Sequence, residues 1–160
     1  MYKSIPTYKD GLWSETHFEE KNDWVSYLLT LFKEPGQYEF DDTALLFNEQ
    51  AVIFNKQGFY CDKPFRSKDF NKYWEDQKFK CKEGVLYHGK KNVFYLTRDY
   101  YMWLNFLPIF DKEEKKYGFA KVRDAQYHMA LYEVLAEEHN KHVAILKKRQ
   151  IASSYFHMAK

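Results

Sequence analysis

The apolar residues between positions 16 and 32 recur at the spacing of one helical face. Thr16 and Glu19 form a capping-box pattern, in which a hydroxyl and a carboxylate each bond an unpaired amide of the first turn. Pro35 and Gly36 follow and would end the helix. We therefore predict a helix from about residue 16 to residue 32, preceded by an irregular arm over residues 1–15. Its apolar face would consist of Trp24, Leu28, Leu31 and Phe32.

A second helical stripe follows Arg123 and Asp124 near the end of the chain. Asn140 lies where this helix would finish, and asparagine tolerates the left-handed conformation that is common after helices. The apolar face of the predicted helix is formed by Tyr127, Ala130, Leu131, Val134 and Leu135. The run His142–Leu146 then lacks any alternation, which is typical of a strand covered on both faces of a parallel sheet.

The middle of the chain carries the signals of strands and turns. Residues 44–54 are rich in aliphatic and aromatic side chains and predict strand structure, with a turn at Gln57 and Gly58. Ser67 would cap a short helix. Residues 84–88 and 92–97 flank a turn of glycine and lysines, a pattern that predicts a β-hairpin.

Composition and charge narrow the class of protein. Aromatic residues make up 20% of the chain, with 14 Tyr and 14 Phe, and 45% of the residues are hydrophobic. This is ample for a packed core and excludes an intrinsically disordered chain. The formal net charge is only +2, so any affinity for anions must be local. No apolar run approaches the ~20 residues of a membrane span and no signal-peptide pattern is visible, so we expect a soluble protein that is not secreted and has no membrane partner.

The last part of the sequence suggests a phosphate-binding turn. The run that follows Leu146 reads Lys-Lys-Arg-Gln-Ile-Ala-Ser-Ser and leads into what should be a new helix. Such a turn can hold a phosphate, because a helix start offers unpaired N–H groups and the positive end of its dipole. Against the pattern G-x-x-x-x-G-K-[ST], both glycines are changed, Ser153 stands at the lysine position and Ser154 keeps the hydroxyl. A basic surface turn after an edge strand is the alternative interpretation.

The combination Lys-Lys-Arg-Gln-x-x-x-Ser resembles the deviant Walker A motif of tailed-phage terminase large subunits, the ATPases that pump DNA into proheads. In some lineages of that family the phosphate-binding lysine stands at the first position of the turn, which Lys147 occupies here. A long ammonium side chain can reach the β- and γ-phosphate oxygens from that side of the turn.

Two upstream segments are similar to the same family. Residues 97–109 resemble the aromatic-Leu-Asn-x-x-Pro-Ile block that precedes the ATPase centre, and the family often places an adenine-reading glutamine where Arg123-Asp124-Ala125-Gln126 stands. A carboxamide suits that role, since it both donates to and accepts from the edge of adenine. The resemblance covers roughly residues 97–160.

The resemblance implies an α/β fold, in which a mixed α+β N-terminal region (residues 1–96) leads into the first strand and phosphate-binding turn of a P-loop ATPase domain (residues 97–160). It implies ATP and Mg²⁺ as cofactors. Lys147 would be the catalytic residue that stabilises the transferring phosphoryl group, and Ser154 would hold Mg²⁺ through the nucleotide. The nucleotide contacts would come from Gln126, Lys147, Lys148, Arg149, Gln150, Ile151, Ala152, Ser153 and Ser154.

The partners implied by the resemblance are double-stranded DNA, the portal protein and the small terminase subunit. The full-length motor would be a homo-oligomeric ring in the cytoplasm of the infected bacterium, and it would also carry a nuclease. Its further acidic metal ligands would have to follow Lys160, so we expect an N-terminal portion or a truncated gene product that is inactive alone. The alternative is a phage-encoded protein-interaction module with no nucleotide chemistry, and a third is nonspecific DNA binding through lysines.

Overall fold

The computed structural model describes residues 1–111 and 115–146 of the chain. This part of the sequence contains six strands, which come in three consecutive pairs, and five α-helices between and after these pairs, with a 3₁₀ turn at Asp42–Leu46. The strands are β1 (Lys3–Lys9), β2 (Leu12–Phe18), β3 (Val85–His88), β4 (Val93–Leu96), β5 (Ile109–Asp111) and β6 (Lys116–Gly118). The helices are α1 (Lys21–Thr30), α2 (Glu49–Gln57), α3 (Lys68–Glu83), α4 (Arg98–Phe106) and α5 (Asp124–Glu138).

The main sheet has four strands in the order β2-β1-β3-β4. β1 pairs antiparallel with β2 and parallel with β3, and β3 pairs antiparallel with β4, so the sheet is mixed. The parallel pair requires a long connection, which residues 19–84 provide with three helices. The predicted mixed α/β class is confirmed. None of the helices in the described part of the chain combines the length and apolar character that crossing a bilayer requires.

The prediction of an irregular arm followed by a helix from Thr16 is wrong. Residues 3–18 form the β1–β2 hairpin, turning at Asp10 (φ 51°) and Gly11 (φ 82°), which suits a type I′ turn. Thr16 lies in β2, and its hydroxyl is 2.7 Å from that of Thr7 on the neighbouring strand. Because cross-strand pairing uses this hydroxyl, α1 begins only at Lys21 and has no side-chain cap.

Two predicted strands are also absent. Residues 44–54 form the end of the 3₁₀ turn and most of α2, which ends at Gly58 in the left-handed conformation (φ 81°). Residues 142–146 lie outside any strand, and Leu146 is fully exposed, so they are not the covered strand of a parallel sheet. A short apolar run is compatible with a strand, a helix or irregular structure, so tertiary packing determines the conformation of both segments. A P-loop fold is therefore not seen within the described residues.

Three local predictions are confirmed. The Ser67 hydroxyl accepts a bond from the Phe70 amide (3.1 Å) and caps α3, although this helix is longer than expected. The hairpin over residues 84–97 is present as β3 and β4. The helix predicted after Arg123 runs from Asp124 to Glu138, and Asn140 follows it with φ 52°.

Glu138, at the end of α5, joins the two ends of the described chain. Its carboxylate accepts bonds from Tyr2 Oη (2.6 Å) and Trp24 Nε1 (2.8 Å), and Lys21 Nζ lies 4.0 Å away. The bond from the phenol to Glu138 raises the pKa of Tyr2 to about 12. Trp24 is fully buried in the core, so its indole N–H depends on this carboxylate.

We expect Glu138→Ala to lower the free energy of unfolding by about 2 kcal/mol, because the buried indole N–H loses its acceptor. The matched control is Glu137→Ala, which removes only the exposed pair with Arg98 (3.0 Å) and should cost less than about 0.5 kcal/mol. Urea unfolding followed by circular dichroism measures both values. Equal losses would show that Glu138 has no special role.

Candidate functional site

A cavity of about 350 Å³ lies between α5 and the chain that follows it. Four of its residues recur on one face of the helix, at the spacing i, i+3, i+4 and i+7. We call it the α5 cavity, and its walls are Pro35, Ala125, His128, Met129, Tyr132, Val143, Ala144, Ile145 and Leu146. Its volume falls in the range of small-molecule sites, about 300–1,000 Å³.

Asp124 ties the loop that carries Pro35, one wall of the α5 cavity, to the start of α5. Its carboxylate accepts bonds from the backbone amides of Gly36 and Tyr38, the latter at 3.1 Å. A carboxylate in the first turn is also favoured by the positive end of the helix dipole. Gly36 adopts φ 89°, which a residue with a Cβ would rarely adopt, so the loop can turn sharply towards Asp124.

His128 and Tyr38 supply the ordered polar contact beside the cavity. Tyr38 Oη accepts from the Lys33 amide (3.2 Å) and lies 2.9 Å from His128 Nδ1, to which its own proton can be donated. Burial raises the pKa of Tyr38, so this proton is retained. When the phenol donates in this way, Nδ1 is the acceptor and Nε2 can carry an N–H. The ring is held edge-on to Phe32, with centroids 5.9 Å apart.

The α5 cavity suits binding better than acid–base catalysis. Its walls are mostly aliphatic and aromatic, with one imidazole and the Tyr132 phenol as side-chain polar groups. Walls of this kind accept a flat apolar ring, and a few polar groups can orient it. Leu146 lines the cavity although its side chain is otherwise exposed, and Lys147 is the next residue in the sequence.

The structure places Gln126 away from the α5 cavity. Its side chain is 2% exposed and lies on the core side of α5, next to the cavity face of the helix. Reading adenine would require this carboxamide to become accessible, and its role stays a prediction. The other nucleotide contacts predicted from the sequence, residues 147–154, lie outside the described residues and stay predictions too.

The block over residues 97–109 serves the core. Thr97 caps α4 by accepting a bond from the Tyr100 amide (3.3 Å). Tyr100, Tyr101 and Trp103 are 0–3% exposed, so they are not available to stack on bases. Asn105 is fully buried and bonds three backbone groups: the Gln50 amide in α2, the Tyr101 carbonyl in α4 and the carbonyl of Phe47, which follows the 3₁₀ turn.

Sequence reasoning missed most of the α5 cavity. The spacing of Ala125, His128, Met129 and Tyr132 was available as a signal, but the opposite face of α5 carries the stronger apolar stripe. Pro35 and the Asp124 contacts could not be foreseen, because they join positions that are 86 and 88 residues apart.

Comparison of the chain with protein-family models, curated proteins and solved structures gives no match. Within residues 1–111 and 115–146 there is also no cluster of three or more His, Cys, Asp or Glu side chains that could hold a metal ion. The predicted Mg²⁺ ligand, Ser154, lies outside that range.

Proposed function

We propose that the chain is the N-terminal portion of a tailed-phage terminase large subunit, the ATP-driven motor that packages viral double-stranded DNA. The observation that carries the proposal is the α5 cavity. It has a mostly apolar lining and a volume within the range of small-molecule sites, and Leu146, one of its lining residues, immediately precedes in the sequence the basic run that resembles a Walker A motif. The cavity lies on the helix that begins within the Arg123–Gln126 segment. This segment precedes the basic run in the sequence, which is the order of the corresponding segments in the family that the chain resembles.

In this proposal the α5 cavity holds the base of ATP. Tyr132 and Met129 contact its faces, and the His128–Tyr38 pair offers one N–H donor near its edge. The triphosphate then extends to the turn 147–154, where Lys147 offsets phosphate charge and the amides of residues 151–154 bond the β-phosphate. Mg²⁺, held with the nucleotide by Ser154, supplies charge neutralisation during phosphoryl transfer.

The wider role follows the resemblance. Double-stranded DNA, the portal protein and the small terminase subunit are the proposed partners, in a ring of identical subunits. Residues 1–96 contribute the sheet and helices α1–α3. Of these, α1 holds α5 through Trp24 and Glu138, and the loop after α1 holds it through the Gly36 and Tyr38 bonds to Asp124. The isolated chain binds nucleotide in this proposal but hydrolyses it at no useful rate.

A titration of a fluorescent ATP analogue with Mg²⁺ tests the proposal. We expect binding in the micromolar to millimolar range, weakened about tenfold by Tyr132→Ala and by Lys147→Ala, because each loses ~1–2 kcal/mol of contact with base or phosphate. Two matched controls should bind as the unaltered protein does. Tyr117→Ala removes a tyrosine that is 74% exposed in the β5–β6 hairpin, and Lys72→Ala removes an exposed lysine of α3.

The outcomes separate the parts of the proposal. Absence of binding at about 1 mM analogue would contradict a nucleotide site altogether. Binding that Tyr132→Ala leaves unchanged would remove the α5 cavity as the base site, and binding that Lys147→Ala leaves unchanged would remove that lysine as a phosphate ligand.

A further inference from the structure

Among residues 1–111 and 115–146, the main sheet has one covered edge and one open edge. At the β4 edge, the Tyr95 amide donates to Tyr127 Oη (3.0 Å), so α5 protects the strand. At the other edge, β2 is the outermost strand of the order β2-β1-β3-β4, and most of its residues are exposed. Open edges present unpaired backbone groups to which another strand can add.

Three residues of β2 direct their backbone N–H and C=O groups away from β1. The two-residue turn makes Lys9 and Leu12 a hydrogen-bonded pair, and alternation then places Trp13, Glu15 and His17 in non-bonded pairs with β1. The partner of Glu15 is Pro6, which has no N–H to donate and therefore fits such a pair. The N–H and C=O groups of these three β2 residues face the open edge.

An aromatic row crosses the sheet and ends at this edge. Trp13 is paired with Tyr8, Tyr8 with Tyr87, and Tyr87 with Phe94, so each strand contributes one ring at the same level. The rings of Trp13 and Tyr8 lie 5.2 Å apart at centroids with an edge-to-face angle of 62°. Trp13, the last ring of the row, remains 45% exposed.

A cleft of about 600 Å³ runs beside β2, and α3 forms its other wall. Lys80 of α3 lies over the Trp13 ring, with Nζ 3.5 Å from the centroid, and so fixes the indole. The carboxylates of Glu15 and Asp76 line the two sides of the cleft. Besides Lys80 and His17, the titratable side chains that line the cleft are these two carboxylates, and Glu15 Oε2 also accepts a bond from Ser4 Oγ (2.6 Å). A strand and a helix that flank a groove are the usual frame for binding by strand addition.

We propose that β2 accepts an extended peptide segment of a different protein as a fifth strand. The segment carries an aromatic residue opposite Trp13 and a lysine or arginine opposite Glu15, two positions away on the same face. The aromatic residue continues the row of rings, and the cation pairs with Glu15. This binding surface is independent of the nucleotide site.

A second copy of this chain fits the open edge poorly. An antiparallel pair centred on Glu15 would place two carboxylates directly opposite each other, which is destabilising. An antiparallel pair centred on Thr16 would place Trp13 of one copy opposite Glu19 of the other. A pair centred on Trp13 would leave only residues 12–14 paired before the turn. None of these three antiparallel registers combines a continued aromatic row with charge complementarity over the length of β2.

Two labelled peptides test the proposal in fluorescence anisotropy. The probe acetyl-Thr-Lys-Val-Tyr-Val-Lys-Thr-amide places tyrosine and both lysines on one face, so that it fits β2 in either direction. The control acetyl-Thr-Lys-Tyr-Val-Val-Lys-Thr-amide has the same composition with tyrosine on the opposite face. We expect the probe to bind about tenfold more tightly than the control, and to protect the amides of Trp13, Glu15 and His17 from hydrogen exchange.

Variants of β2 separate strand addition from other binding. Glu15→Pro removes an outward N–H without affecting the pairing with β1, so the fold should persist and probe binding should be lost. Trp13→Thr should weaken binding about tenfold, whereas Tyr117→Thr, at another exposed tyrosine, should not. Equal binding of the two peptides, or unchanged binding to a folded Glu15→Pro variant, overturns the proposal. So does a dimer in sedimentation experiments that Glu15→Pro dissociates, because a second copy would then occupy the edge.

Discussion

Gly84→Ala is expected to lower the free energy of unfolding by about 3–5 kcal/mol. Gly84 joins α3 to β3 with φ 78°, a conformation that costs little only for glycine. An added Cβ would lie 2.5 Å from the Leu96 carbonyl oxygen and 2.6 Å from Cε2 of Tyr95. Both neighbours are buried in the core, and Tyr95 is further held by its bond to the Glu83 carbonyl (2.8 Å), so neither can move aside.

Gly58→Ala provides the matched control for Gly84→Ala. Gly58 has a similar φ of 81° but lies in the left-handed region (ψ 3°), whereas Gly84 (ψ −171°) lies where essentially only glycine is found. Nothing lies within 4 Å of the position that a Cβ at Gly58 would take. Its substitution should therefore cost only the backbone strain, about 1 kcal/mol. Chemical unfolding of the two variants measures the difference. If Gly84→Ala cost no more than Gly58→Ala, the close packing of the α3–β3 junction against β4 would be wrong.

Asn105→Leu is expected to cost about 3–4 kcal/mol, although the side chains are similar in size. Asn105 is fully buried, its Oδ1 accepts from the Gln50 amide (3.0 Å), and its Nδ2 donates to the Phe47 carbonyl (2.8 Å). Leucine would leave that amide and carbonyl without partners at the start of α2, away from water. The change should also loosen α2, which hydrogen exchange at its amides would detect.

Asn92→Leu is the control for the buried carboxamide. Asn92 also makes two bonds, to Lys33 Nζ (3.0 Å) and the Glu39 carbonyl (3.2 Å), but it lies at the surface. Water can replace both bonds, so the loss should stay below about 1 kcal/mol. A similar loss at both positions would mean that Asn105 does not organise α2 as described.

The elements that were predicted correctly carry strong local signals. The strands β3 and β4 flank a turn that contains Gly89. Helix α5 shows a continuous apolar stripe that ends before Asn140. Ser67 is a capping residue in sequence and in structure. In each case the local preference and the tertiary packing agree, so no long-range contact is needed to choose between alternatives.

The failed predictions lie where two local signals compete. Asp10–Gly11 is a strong hairpin signal, but Thr16 and Glu19 suggested a capping box, and the choice between them depends on β1 pairing with β3 far along the chain. Residues 44–54 form a 3₁₀ turn and α2 because Asn105 bonds the backbone around position 50. The run 142–146 packs beside α5 instead of entering the sheet, which the sequence alone does not reveal.

The candidate site is harder to predict than the fold. One wall of the α5 cavity is a helix face that can be read from spacing, whereas Pro35 is brought there by the Asp124 bonds to Gly36 and Tyr38. Gln126 was selected for its chemistry, but its position on the helix turns it towards the core. A helix places neighbouring residues about 100° apart, so one position decides between cavity and core.

The most direct test of the account is whether ATP enters the α5 cavity. The chain contains four methionines, of which Met129 lines this cavity and Met102 lies in α4. With isotope-labelled methionine methyl groups, addition of Mg²⁺-ATP should shift the Met129 resonance in a saturable manner and leave the Met102 resonance unchanged. A Met129 resonance that does not move while ATP binds, or that moves no more than that of Met102, would contradict the account.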